Sequence, residues 1–279
     1  MLNQERIIIQ NLTHSDQTGR KIFNDLSLTL GNLKTGLIGR NGIGKTTLFK
    51  LITGELVPTS GAINVGCHLG YCPQDLSNYN NQTVAQFFDA HDKMESLDRL
   101  LSGNYRDHDL EILADDWQIR DRLTDALAKV SLEISNFNTR LSSLSNGEIT
   151  KLWLAKLFYY AQQTDFPLLD EPTNNLDVDT KELFYQMIQS NSKGMLITSH
   201  DMVLLEIMDQ ILVLTEHNAK IYGGNFSFYQ KQWQMEHQAK EQKFNDAKKD
   251  LAKATISIQN SREKHEQSQA QGRQLRKKK

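Results

Sequence analysis

The stretch GRNGIGKTT, Gly39 to Thr47, restricts this chain more than any other. It satisfies the pattern G-x-x-x-x-G-K-[ST], and it stands between an apolar run, LKTGLIG (33–39), and a segment with helical apolar spacing, KTTLFKLITGEL, that ends near Gly54 with Pro58 shortly beyond. A strand that turns through glycines into a helix builds an anion site, because its backbone N–H groups point inward and the helix adds its positive N-terminal end. Gly39, Gly42 and Gly44 let that backbone ring close around phosphate oxygens where a Cβ would obstruct the approach. Arg40, Asn41, Ile43 and Thr47 complete the loop. Lys45 supplies a mobile ammonium for β- and γ-phosphates, and the Thr46 hydroxyl is a ligand for Mg²⁺.

A second motif, FPLLDEPTNNLD (166–177), supplies carboxylates directly after a short apolar run. Carboxylates so placed lie at the C-terminal edge of a strand, where ligands of open α/β sheets bind. Asp170 is expected to hold Mg²⁺ through water. Glu171, not neutralised by the metal, is expected to polarise the attacking water. Pro167 near the start predicts an abbreviated strand.

The rest of the chain fits a nucleotide-binding α/β domain. RIIIQNL (6–12) and IFNDLSLTL (22–30) read as strands of a small sheet, and 83–143 is mostly helical in pattern, an inserted helical layer. After it come helix 148–162, strand 166–169, helix 178–190, strand 194–198, helix 201–208 and strand 210–215, an alternation that predicts a largely parallel sheet. No apolar run approaches the 18 or so residues that span a bilayer, and MLNQERIIIQN lacks the features of an export signal, so a cytoplasmic location without membrane insertion is expected. Cys67 and Cys72 are too few for a disulfide framework and read as structural filler. The net charge of −2 hides a split: residues 230–279 carry 13 Lys+Arg against 6 Asp+Glu, and the remainder is correspondingly acidic. A basic appendage on an acidic body points to a polyanionic partner, although a solvated charged helix has the same composition.

Taken together these residues resemble the ATP-binding cassette (ABC) family. Besides the phosphate loop and the acidic strand end, YCPQ places Gln74 at the family's Q-loop, LSNGE (144–148) stands at the signature position, NNLD places Asp177 at the D-loop, and ITSHD places His200 at the switch histidine. The resemblance covers residues 1 to about 215. It implies an α/β P-loop cassette with a mixed sheet core, an antiparallel β subdomain and an inserted helical subdomain (about 83–162), with ATP and Mg²⁺ bound. It further implies that Gln74 contacts nucleotide and metal, that His200 is catalytic beside Glu171, and that Ser145 and the Gly147 N–H face the γ-phosphate of a second cassette. One chain carries one of each motif, so activity is expected only on pairing with a second cassette, whether a missing half or another copy. Asn146 replaces the glycine usual in the signature, and asparagine's tolerance of left-handed geometry is expected to preserve closure in weakened form. The family stacks adenine on an aromatic near the end of the first strand. Here only His14 is available, and it reads equally as an exposed loop histidine.

Within the family, a transporter subunit and a chromosome-type ATPase compete with a translation factor of the ABC-F kind. Chromosome-type proteins place very long coils between motif halves that here lie about seventy residues apart. IYGGNFSFYQKQWQMEHQ (221–238) resembles the segment by which ABC-F proteins leave their first cassette. Domain boundaries of 1–225 for the cassette and 226–279 for a basic helical linker are therefore expected. Phe244, Ala247, Leu251, Ala254 and Ile258 form one apolar seam at alternating three and four spacing, which calls for a partner helix. A long helix over about 228–268, with its basic end reaching ribosomal RNA or tRNA, is the expected linker arm. No further helical arm is expected between Gln74 and Leu144.

Overall fold

The computed structural model describes residues 7–75, 77–159, 165–174, 176–216, 218–249 and 253. Alternating side chains make the first layer. β1 (Ile7–Ser15) turns Ile7, Ile9 and Leu12 inward, and β2 (Lys21–Leu30) does the same with Phe23, Leu26, Leu28 and Leu30. The step from Ile9 to Leu12 breaks the period of two. Asn11, at φ 49°, makes a bulge there and donates its N–H to Ser27 Oγ at 2.9 Å, so both apolar halves of the strand face the same core. With β4 (Ser60–Val65) these strands form an antiparallel sheet of order β2-β1-β4.

The larger sheet has the order β5-β6-β7-β3-β8-β9. It comprises β3 (Lys34–Ile38), β5 (Leu69–Cys72), β6 (Phe166–Asp170), β7 (Met195–Thr198), β8 (Gln210–Leu214) and β9 (Ala219–Gly223). The first five run parallel and β9 pairs antiparallel with β8. All four residues of β7 are buried, as expected for a strand covered on both faces. Pairing of β6 with β7 starts at Leu168, so Pro167, which has no N–H to give, sits ahead of that ladder. Strands β4, β5 and β9 go beyond those expected from the sequence, and the IYGG segment is the end of β9 followed by a turn at Gly224 (φ 104°).

Helix α1 (Lys45–Ile52) packs Leu48, Phe49, Leu51 and Ile52 into the core shared by both sheets. The helical layer holds α2 (Val84–Phe87), α3 (His91–Ser102), α4 (Asp109–Leu113) and α5 (Ile119–Ala128), and α6 (Asn146–Tyr159) packs against α5 before the chain re-enters the sheet at β6. Buried Asp109 ties α3 to α4 by accepting from Arg99 Nη2 at 2.6 Å. Trp153 of α6 meets Phe87 of α2 edge-on, with centroids 5.0 Å apart. Helices α7 (Val178–Ser190) and α8 (Met202–Glu206) follow.

The chain divides into two units, Met1–Phe226 and Ser227–Lys279. In the second, residues 227–249 and Lys253 are helical, Trp233 lies against His237 with ring centroids 5.1 Å apart, and Phe244 and Ala247 are exposed. Leu251, Ala254, Ile258 and the basic end at 273–279 lie outside the described residues. Among the described residues no helix is long and apolar enough to cross a membrane.

Candidate functional site

Four neighbouring parallel strands, β5, β6, β7 and β3, end on one edge of the sheet, and each hands on one element of the site. Gln74 follows β5, Asp170 ends β6 with Glu171 next to it, His200 follows β7, and the glycine loop follows β3. This is the edge at which α/β sheets bind ligands. A cavity of about 460 Å³ is lined by Asn41, Gly42, Gly44, Lys45, Thr46, Thr47, Gln74, Asp170, Glu171, Asn174, His200 and Ile22 of β2. Residues read from distant stretches of sequence thus meet around one space. Arg40 is exposed and Ile43 belongs to the hydrophobic core.

The three loop glycines are needed for different reasons. Gly42 (φ 75°) has no protein atom within 4 Å of where a Cβ would be, and its backbone conformation favours glycine. Gly44 (φ 109°) combines that demand with packing, because its Cβ would lie 2.5 Å from Ile22 Cγ2. A Cβ on Gly39 would lie 2.8 Å from the Leu214 carbonyl of β8. At Gly39 and Gly44 a Cβ would also meet the protein's own strands, a packing demand that the sequence did not reveal. Lys45 Nζ donates to Gly39 O at 2.9 Å, which carries the ammonium back across the loop.

The carboxylates are fixed by hydroxyls. Asp170, 2% exposed, accepts from Thr46 Oγ1 at 2.7 Å on one oxygen and from Thr198 Oγ1 at 2.6 Å on the other. Thr198 was not singled out by the sequence, yet its Oγ1 also accepts the Glu171 N–H at 2.9 Å. That bond helps hold Glu171 at φ 53°, a left-handed conformation unusual for a non-glycine residue and costing on the order of 1–3 kcal/mol. The strain aims the side chain into the site. Glu171 Oε1 lies 3.5 Å from His200 Nε2, while Oε2 is buried without a hydrogen-bond partner. Burial pushes the Glu171 carboxyl above the ordinary carboxylate range, against the pull of His200 and Lys45. On neighbouring β5, burial and the charge of Asp170 push the Cys72 thiol up as well, consistent with a structural role.

No group of three or more His, Cys, Asp or Glu side chains suited to a metal is present among the described residues. The hydroxyl of Thr46, the carboxylate of Asp170 and the amide of Gln74 are hard oxygen donors on one cavity, and this set fits Mg²⁺ that takes further oxygens from phosphates.

Ser145 and Gly147 do not line this cavity. Ser145 is exposed immediately before α6, whose first residue is Asn146. Asn146 is helical and absent from the left-handed residues, so replacing the usual glycine requires no left-handed tolerance, contrary to expectation. The same helix end borders a smaller cavity of about 220 Å³, where Asn146, Ile149 and Thr150 face Gln74, Asp170 and Glu171. Asp177 caps α7 by accepting from Thr180 N at 2.8 Å and pairs with Lys151 of α6 at 3.2 Å. These bonds hold its carboxyl down at about 2.

His14 lies on β1 opposite Phe23 and is buried, not an exposed loop residue, and it lines neither cavity beside the loop. Ile22 lines the phosphate cavity and also a neighbouring one of about 410 Å³ that includes Phe23, Ile43 and Glu216. The strand alternation of β2 showed that Ile22 points away from Phe23, but nothing in it showed that this face passes beside the glycine loop.

Residues 23–174 match the family described as ABC transporter. The chain is 33% identical over 244 residues to the ATP-binding protein Uup of Haemophilus influenzae, covering 84% of this chain and 35% of that protein. It is 31% identical over 250 residues to ABC transporter F family member 5 of Arabidopsis thaliana, covering 78% and 36%. The chain therefore spans about a third of the length of these relatives. The dimeric post-hydrolysis structure of the ATP-binding cassette MJ0796 bound to ADP and Pi superposes with a TM-score of 0.60 at 18% identity, covering 78% of this chain and 98% of that one. Sequence and fold agree: the chain belongs to the ATP-binding cassette family, in its ABC-F subfamily.

Proposed function

We propose that this chain binds ATP with Mg²⁺ and hydrolyses it when its cassette closes on a second one, and that the resulting movement acts on the ribosome in the cytoplasm. The observation that carries the chemistry is the pair of unequal carboxylates. Asp170 has both oxygens held by hydroxyls, while Glu171 keeps a buried oxygen free and is made more basic by its surroundings. Glu171 accepts the proton of a water that attacks the γ-phosphorus, and ADP is the leaving group. His200 stands within reach of the same carboxylate and orients it. Lys45 and the loop amides neutralise the phosphates, and Thr46, Asp170 and Gln74 would hold Mg²⁺, which would supply further positive charge there. Ser145, the Gly147 N–H and the positive end of α6 complete the site of the second cassette.

Glu171→Gln tests the base: turnover should fall about 10²- to 10⁴-fold with ATP binding retained. Undiminished turnover would remove Glu171 from this role. Support for a ribosomal target comes from the resemblance to ABC-F translation factors and from the basic balance of residues 230–279. Affinity from such a segment falls steeply with salt. Co-sedimentation of the full chain with ribosomes across a salt series should show this, and a chain ending at residue 226 should lose the association. Persistence without the tail would sink the ribosomal assignment.

A further inference from the structure

The hydroxyl of Ser145 is already engaged. It donates to Glu148 Oε2 at 2.7 Å, and the same oxygen accepts the Ser145 backbone N–H at 2.8 Å. In return the Glu148 N–H donates to Ser145 Oγ at 3.3 Å. This is a capping box at the start of α6, with one bond added. A serine hydroxyl carries one proton. While it serves Glu148, it cannot also be donated to a phosphate.

We propose that Glu148 is a positioning residue that holds the Ser145 hydroxyl back from the nucleotide of a second cassette, and so raises the threshold at which two cassettes pair. The inference rests on the paired-cassette function proposed above. Two effects act in the same direction. To bond a γ-phosphate oxygen, the Ser145 proton must leave a carboxylate, which as an ionised acceptor holds it roughly twice as strongly as the neutral amide oxygen of a glutamine would. The carboxylate also stays beside Ser145 as a negative charge facing an incoming triphosphate. The cation one turn along α6, Lys151, pairs with Asp177 at 3.2 Å and also acts on the Glu148 carboxylate, so it offsets only part of that charge. In the isolated chain the arrangement favours the helix, since a carboxylate in the first turn complements the positive end of α6. Glutamine can serve the same capping box without a charge. The position therefore separates the two roles: a cap needs either residue, and a restraint on pairing needs the carboxylate.

The test uses the full chain carrying Glu171→Gln, so that closed pairs persist. ATP-driven self-association is followed by sedimentation velocity over a range of protein concentrations, at low and high salt, with thermal melting alongside. Adding Glu148→Gln should lower the concentration of half-association by about tenfold at low salt. The gain should shrink as salt rises, with the melting midpoint lowered by no more than about 2–4 °C. Adding Ser145→Ala should remove most of the gain, because the restraint acts chiefly through that hydroxyl. Association unchanged or weakened by Glu148→Gln overturns the inference while leaving the pairing function intact, and so does a gain that survives undiminished in the Ser145→Ala chain. No ATP-driven association in any chain overturns pairing between copies and this inference with it.

Discussion

Two glutamates sit at opposite ends of the same chemistry. Glu171, at the sheet edge, is buried, strained, raised in pKa by desolvation and left with an unbonded oxygen. Glu148, at the start of α6, is less buried and lowered in pKa by the Ser145 backbone and hydroxyl, one of its oxygens accepting both bonds. One end keeps its bonding capacity open and the other satisfies itself. The difference follows from where each end lies: Glu171 lines a preformed cleft, whereas Ser145 is exposed, where an unsatisfied helix terminus would otherwise depend on solvent.

Several substitutions would break or sharpen that contrast. The most severe removes the cleft's cation: Lys45→Ala should reduce ATP affinity by at least about 100-fold in equilibrium binding, the loss of a charge-assisted contact in a partly buried site. Thr198→Val should come next. It deprives Asp170 of one donor and the Glu171 N–H of one acceptor, so roughly 2 kcal/mol of stability should be lost in urea unfolding, with turnover falling in parallel. If turnover and stability are both unchanged, the hydroxyl does not organise the edge.

A subtler test separates ionised from neutral Glu171. Its carboxyl titrates above the ordinary carboxylate range in the folded chain and within that range when unfolded. Stability from this group is therefore greatest below the ordinary range and declines as pH rises through the folded value. Glu171→Gln should then be more stable than the parent at pH near 8 and lose that advantage below about pH 4. The opposite dependence would show that His200 and Lys45 outweigh burial. At the other end Glu148→Gln should lower the melting midpoint by no more than about 2–4 °C, because the cap is kept and only the charge at the helix end is lost.

Much of the site could be read directly from the sequence, because spacing fixes chemistry where backbone and side chain act locally. The glycine loop, Asp170, Glu171, Gln74 and His200 fall at strand ends, and those ends are brought together by a parallel sheet. What was not legible depended on contacts across the chain. Thr198 is an ordinary residue of an apolar strand until β7 is set beside β6. The need for Gly39 arises from Leu214, 175 positions away. SGAINV, LGYC and AKIYG each include a glycine, so local pattern was weak and pairing of β4 with β1, β5 with β6 and β9 with β8 decided their state. Asn146 was misjudged because the start of α6 was placed two residues late, which put a helical residue into a turn.

The position of β3 carries a consequence for how the molecule is made. It is hydrogen-bonded on one side to β7 and on the other to β8, both encoded more than 150 residues downstream. During N-to-C synthesis the strand bearing the glycine loop must therefore wait with both flanks open until residue 214 has emerged. Such distant pairings slow folding, and open flanks are adhesive. The centre of this sheet is the part of a nascent chain most in need of shielding.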